Sequence, residues 1–387
     1  MNVGILYPRS KVHPGLGFDF LDGLKSYIKQ QSLSDKINFA SESIGFGGLE
    51  KEAYEKAEKL LMIDGVDVLL AYIDQRVLGI LQPLFFASGK LIIIINPGAN
   101  YPLNWVPQPN TVNLTLQHSF LCWLTGKLVS AQQNKQSAYA TTYFDCGYLH
   151  STAMIKNHNR HSGKVMFNYI NNNLYNDTFE ISQLTDFLAS DSNTNNLFCV
   201  FDSLPAALFY DRLDKFEGAG RLNLFVSPMM LEPQALANRD KGFKFSIDGY
   251  ASWLPTATHE ENEIFTSYYQ QQTKRAATIF SLLGWEAGMI LQQILQQILQ
   301  QDEIDFSDGT GIAQHLTTAG MKGPRGEMKL DPETLFYLTP VVKCSIPNGD
   351  GEPRSELVGD TDHDWQEFVA ERTEGAISGW LNTYLCY

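Results

Sequence analysis

Positive charge is scarce in this 387-residue chain. Its 29 Lys and Arg stand against 43 Asp and Glu, a formal net charge of −14. A chain this acidic has no electrostatic footprint for a nucleic-acid backbone. No Lys/Arg-rich run suits an anionic membrane surface. Cysteine is sparse too: Cys122, Cys146, Cys199, Cys344 and Cys386. No two have the CxxC spacing of a zinc or redox site. The odd count argues against a full disulfide framework and leaves room for one bridge. Surroundings such as LFCVF at 197–201 suit small core residues. Long apolar runs are missing, since LIIIIN (91–96) falls far short of the roughly 18 residues of a membrane span. MNVGILYP carries no basic n-region or apolar h-region and reads directly as a strand and its turn. The expectation is a cytosolic protein, or one whose leader has been cut away and a Met added.

Local catalytic signatures are absent as well. There is no GxGxxG and no GxxxxGK[ST], so the usual phosphate-cradling loops are missing. There is no HExxH: HEEN (259–262) lacks the second His, and HNRH (158–161) sits in a polar stretch. No metal is expected on ligand spacing, and no cofactor. There is no GxSxG elbow and no Cys/His pair. Only a triad assembled in three dimensions would escape such a reading.

What is present is a globular composition, 44% hydrophobic and 19% charged, in a chain long enough for two domains. VGILYP (3–8), KINFASESIG (36–45), VDVLLAYI (66–73) and LIIIIN read as strands. Between them GFDFLDGLKSYIKQQ (17–31) reads as a helix with Phe18, Leu21, Leu24 and Ile28 on its inner face. LEKEAYEKAEKLLMID (49–64) buries Ala53, Ala57, Leu60 and Leu61, and VLGILQPLFFAS (77–88) is a third helix. Fully apolar strands separated by helices predict a parallel sheet covered on both faces, in a doubly wound α/β domain.

The pattern then restarts. A helix over 118–132 precedes strands at 137–144, 164–170, 196–201 and 222–228. Helices follow at about 260–274 and about 277–301. The second holds ILQQILQQILQQ (290–301), whose apolar pairs recur every four residues and whose Gln residues are expected to form a solvated face. The segment 323–346 suggests a late hairpin or paired strands, 348–356 a surface loop, and 375–385 a terminal helix.

Two α/β units, then helices, then a GPxGxxxxD segment resemble the type I periplasmic binding proteins, in the Leu/Ile/Val-binding branch. Four stretches carry the resemblance: VGILYP with GFDFLDGLKSYI and its Gly23; VDVLLAYIDQ through LQPLFFASGKLIIIINPGANYP; ATTYFDCGYLHSTAM; and MKGPRGEMKLDPET. The resemblance implies two doubly wound lobes joined by a three-crossing hinge. It puts 1–118 with 247–325 in the first lobe and 119–246 with 326–387 in the second. It also implies an extracytoplasmic solute-binding protein, not an enzyme, that closes on a small ligand in the interlobe cleft. The ligand would be an amino acid, a small carboxylate or an aromatic acid. The partner would be a membrane ABC transporter permease. A ligand-sensing receptor domain of the same fold is the alternative, and an α/β hydrolase-type enzyme a more distant one.

Ligands of open α/β sheets sit outside the carboxyl ends of the strands. That rule selects Ser10 after the first strand, Asp74 and Gln75 after VDVLLAYI, and Gly98, Ala99, Asn100 and Tyr101 after LIIIIN. In the second unit it selects Asp145 and Tyr148 after ATTYF, and Asp202 and Ser203 after NLFCVF. Trp285, in the helix start IFSLLGWEAG, completes the set. Where the resemblance leads one to expect Ser-Ala-Thr, this chain has Gly98-Ala99-Asn100. Small residues at 98–99 would let a ligand carboxylate approach backbone N–H groups. Asp202 suits a ligand ammonium, or equally the N-cap of PAALFYDRL.

Overall fold

A computed structural model of the chain describes all residues except 48, 74, 99–106, 143–148, 172–177, 238–241, 300–304, 350, 372–383 and 385–387. The side chains at 75, 76, 203 and 204 are also outside the description. The chain opens with β1 (Asn2–Tyr7), α1 (Leu16–Gln30), β2 (Asn38–Ser43), α2 (Glu50–Met62), β3 (Val68–Ala71), α3 (Gln75–Ala87), β4 (Leu91–Asn96) and β5 (Thr111–Thr115). There follow α4 (His118–Leu128), β6 (Gln136–Thr142), α5 (Leu149–Arg160), β7 (Lys164–Asn171), α6 (Ser182–Ser190), β8 (Asn196–Val200), α7 (Ser203–Asp214), β9 (Asn223–Val226) and β10 (Ser246–Ala251). The last third holds α8 (Glu260–Thr273), α9 (Ile279–Leu299), α10 (Gly309–Leu316), β11 (Met321–Gly323), β12 (Gly326–Leu330), β13 (Phe336–Leu338), β14 (Val341–Ile346), β15 (Arg354–Val358) and α11 (Asp362–Ala370).

These elements form two units. The first is Met1–Leu116 with Pro255–Thr339 and Tyr384; the second is Gln117–Leu254 with Pro340–Thr383. The first sheet runs β11-β12-β13-β5-β4-β3-β1-β2 and the second β15-β14-β10-β9-β8-β6-β7. In the first, β2, β1, β3, β4, β5 and β13 are parallel, with β12 and β11 antiparallel at one edge. In the second, β7, β6, β8, β9 and β10 are parallel, and β14 and β15 are antiparallel.

All six residues of LIIIIN are buried in β4, because β3 and β5 flank it and helices cover both faces. Each such aliphatic side chain contributes roughly 1.5–3 kcal/mol of transfer free energy. Helix α2 buries the face read from its sequence, Ala53, Ala57, Leu60 and Leu61. Helix α1 differs. It buries Phe20, Leu24, Tyr27 and Ile28, while Phe18 is 68% exposed. The reason is its neighbour: α1 lies against α9 at very short range. A Cβ on Gly23 would stand 2.0 Å from the Ser281 carbonyl oxygen, and one on Gly284 would stand 2.0 Å from that of Phe20. That contact sets the rotation of α1, and Phe18 falls outside it.

The sheets also revise the domain boundaries. β10 pairs with β9, so the stretch from 247 to Leu254 belongs to the second unit. β12 and β13 extend the first sheet, so 326–339 belongs to the first. β5 and β10 had no strand reading in the sequence, since polar Thr111, Asn113, Thr115, Ser246 and Asp248 interrupt their apolar pattern. The expected late hairpin is β11–β12, but β13 and β14 enter different sheets. Part of the expected surface loop at 348–356 is edge strand β15, paired with β14. The expected helix at 375–385 lies outside the described residues except Tyr384.

Candidate functional site

In the first unit β1 hands over to a turn ahead of α1. Buried Ser10 accepts the His13 backbone N–H on Oγ at 3.0 Å, and its own hydroxyl proton can still donate. His13 is also buried. Its ring stands edge-on to Phe280 (centroids 5.4 Å) and Tyr384 (5.1 Å), which meet each other at 5.2 Å. A sequence-selected hydroxyl thus sits beside an aromatic cluster whose contacts the sequence does not show, because its members at 13, 280 and 384 are far apart along the chain.

After β4 the chain turns at Gly98, whose φ of +84° lies in the left-handed region that favours glycine. Asn96 Oδ1 accepts the Gly98 N–H at 2.7 Å, an Asx-type turn. That N–H is therefore engaged inside the turn. Gln75 is the first residue of α3. Asp74, Ala99, Asn100 and Tyr101 lie outside the described residues, as do Asp145 and Tyr148 in the second unit.

In the second unit Asp202 holds the N-cap position of α7, with its side chain making no capping hydrogen bond although it is buried. Ser203 begins that helix. One strand over, Ser227 follows β9. Its backbone N–H donates to the Cys199 carbonyl at 2.9 Å, and its fully buried Oγ has no hydrogen-bond partner among the described residues. Ser227 and Asp202 thus stand at the carboxyl ends of adjacent parallel strands. Ser227 was missed because the turn-forming Ser-Pro pair reads as punctuation. An orphaned hydroxyl shows only when burial is known.

Trp285 has a packing role. It is buried on α9, edge-on to Tyr27 of α1 (5.1 Å) and tilted against Phe265 of α8 (5.2 Å). Met229 and Met230 are fully buried as well.

Two further clusters escaped the sequence. Arg325, in the turn between β11 and β12, grips Glu286 of α9 with Nε to Oε1 at 2.8 Å and Nη2 to Oε2 at 2.6 Å. A third N–H donates to the Thr115 carbonyl at the end of β5, at 2.9 Å. The signal was a lone Glu in the apolar run LLGWEAGMIL, which a buried helix tolerates only with a partner. At the start of α4 and α5, Ser119 Oγ and His150 Nδ1 are 2.9 Å apart, and His118 lies edge-on to His150 at 5.9 Å. Burial pushes His150 down to about 3. It pushes His158, 3.0 Å from Ser137 Oγ, down to about 4. Cys122, Cys199 and Cys344 are free and buried, and burial raises all three thiols. Among the described residues no three His, Cys, Asp or Glu side chains converge to hold a metal, and no helix is long and apolar enough to cross a membrane.

No family model matches the sequence, and no curated protein matches it significantly. Solved structures do match. A solute-binding protein of an ABC transporter from R. palustris, in complex with benzoate, superposes with a TM-score of 0.70 at 18% identity, covering 92% of this chain and 95% of its own. The fold is that of the type I periplasmic binding proteins. A substrate-binding protein of this fold from Sphaerobacter thermophilus gives a TM-score of 0.74 at 12% identity, over 94% of this chain and 98% of its own. The leucine-binding protein LivK from Thermotoga maritima gives 0.67 at 12% identity, over 94% and 99%. The likeness covers more than nine-tenths of the chain and so extends over both α/β units.

Proposed function

We propose that this chain is an extracytoplasmic solute-binding protein. It captures a small ligand between the carboxyl ends of its two parallel sheets and hands it to an ABC transporter permease. The observation that supports this most is the match to solute-binding proteins over more than nine-tenths of both chains. The ligand class is a small carboxylate, an amino acid or an aromatic acid. The structural neighbours include proteins in complex with benzoate, 4-hydroxybenzoate and isoleucine. In this reading Ser10 donates its hydroxyl proton to the ligand, and His13, Phe280 and Tyr384 offer an aromatic wall. Asp202 and Ser227 act from the second unit. Asp74, Gln75, Gly98, Ala99, Asn100, Tyr101, Asp145, Tyr148 and Ser203 occupy the same strand ends in the sequence and complete the proposed wall. Hinge closure would then bury the ligand.

A thermal-shift screen of amino acids, benzoates and small carboxylates tests this. A true ligand raises the melting temperature by mass action as its free concentration passes the dissociation constant, and mass spectrometry recovers it unchanged. Recovery of a converted product would sink the binding-protein reading.

A further inference from the structure

The ILQQ repeat of α9 plays no part in the site above. Around a helix of 3.6 residues per turn, successive residues advance by about 100°. Gln292, Gln296, Gln293 and Gln297 therefore fill one arc of about 140°, and Ile290, Leu291, Ile294, Leu295 and Ile298 fill the opposite side. The apolar side is buried, as the sequence predicts. The Gln side is not simply solvated. It forms one wall of a half-open groove of about 410 Å³ within the first unit, lined also by Tyr27 of α1 and by His315, Ala319 and Lys322. That volume falls in the range of small-molecule sites, about 300–1,000 Å³. The groove centres some 13 residues along α9 from Phe280, about 20 Å at 1.5 Å per residue, so it is separate from the strand-end site.

The wall is partly fixed and partly unfilled. Tyr27 donates to Gln292 Oε1, and Gln292 Nε2 donates to Gln31 Oε1 at 3.2 Å, so this amide is held at both ends. Gln293 Nε2 donates to the Ala319 carbonyl at 3.3 Å. That bond fixes the orientation of the amide and leaves its oxygen on the other side. The Oε1 atoms of Gln293 and Gln297 are buried and accept no hydrogen bond from any described residue. Two buried acceptors without donors call for a ligand that brings O–H or N–H groups. Among the described residues no carboxylate lines the groove, so they offer a cationic ligand no counter-charge. A free anion is poorly served as well. Lys322 is exposed, so water and salt screen its charge; it also helps lower the Glu261 carboxyl, after that residue's own backbone N–H and His259. Hydroxyl groups both donate and accept, which fits orphaned amide oxygens alongside amide and ammonium donors.

We infer that the glutamine face of α9 is a second binding site, for a small neutral polyhydroxylated molecule of the sugar or polyol class. It does not depend on the function proposed above.

The test is a titration of the ¹⁵N-labelled protein with D-glucose, D-sorbitol, sodium acetate and methylammonium chloride, following the Gln side-chain amide resonances. The inference expects saturable shifts of Gln293 and Gln297 with glucose or sorbitol. It also expects loss of those shifts in Gln297→Leu, and in Gln293→Met as a second variant, at an unchanged circular-dichroism spectrum. Linear, non-saturating shifts with every compound mean a hydrated groove and overturn it. Saturation with acetate or methylammonium but with neither hydroxylated compound overturns it equally.

Discussion

Arg325 and Glu286 form a two-pronged ion pair with both side chains only 1% exposed. The pair joins the turn between β11 and β12 to the middle of α9, and the Arg325 bond to Thr115 ties both to the last residue of β5. Three segments far apart in sequence meet at one guanidinium, next to the point where the chain leaves the first unit.

Breaking that pair from one side leaves an uncompensated buried charge, which costs about 3–5 kcal/mol. Glu286→Gln and Arg325→Met are each expected to lose stability on that scale in urea denaturation. The double variant Glu286→Leu/Arg325→Met is expected to recover most of it, less about 1 kcal/mol for the orphaned Thr115 carbonyl. Additive losses in the double variant would show that the two side chains do not act as a pair.

Acid sensitivity follows from the buried histidines. His150 titrates near 3 in the folded chain, against about 6.5 unfolded. Between those values the unfolded state binds the extra proton, so folding stability rises with pH through this window. The contribution is fully present above about 6.5 and is lost as pH falls toward 3. His150→Gln keeps a partner for Ser119 and cannot charge. It is expected to flatten the dependence of unfolding free energy on pH between 4 and 6.5. Burial lowers His158 too, so the flattening is partial. An unchanged slope in the variant would show that His150 is not buried neutral.

Ser227 separates ligand binding from stability. Its buried hydroxyl is unpaired among the described residues, and removing an unsatisfied buried group relieves about 1 kcal/mol or leaves stability unchanged. Ser227→Ala is expected to match or exceed the parent melting temperature without ligand, yet to lose much of the ligand-induced rise. A destabilised variant with full ligand response would remove Ser227 from the site.

What the sequence determined by itself is the alternation of strands and helices. Burial pattern is a local property: six apolar residues in a row can only be covered on both faces, and Ala53, Ala57, Leu60 and Leu61 can share only one side of a helix. The strand-end rule selects Ser10, Gly98 and Asp202 as candidates from position along the chain alone. Tertiary structure alone decided how the elements divide. β13 and β14 are separated by two residues and yet enter different sheets, because each completes an edge that exists only after distant strands have assembled. It also decided which side of α1 is buried, through a contact at Gly23 and Gly284 that no periodicity encodes. Arg325 with Glu286, His13 with Phe280 and Tyr384, and the orphaned Ser227 hydroxyl belong to the same class. A charge, a ring or a hydroxyl acquires its role from neighbours that the chain brings together only by folding.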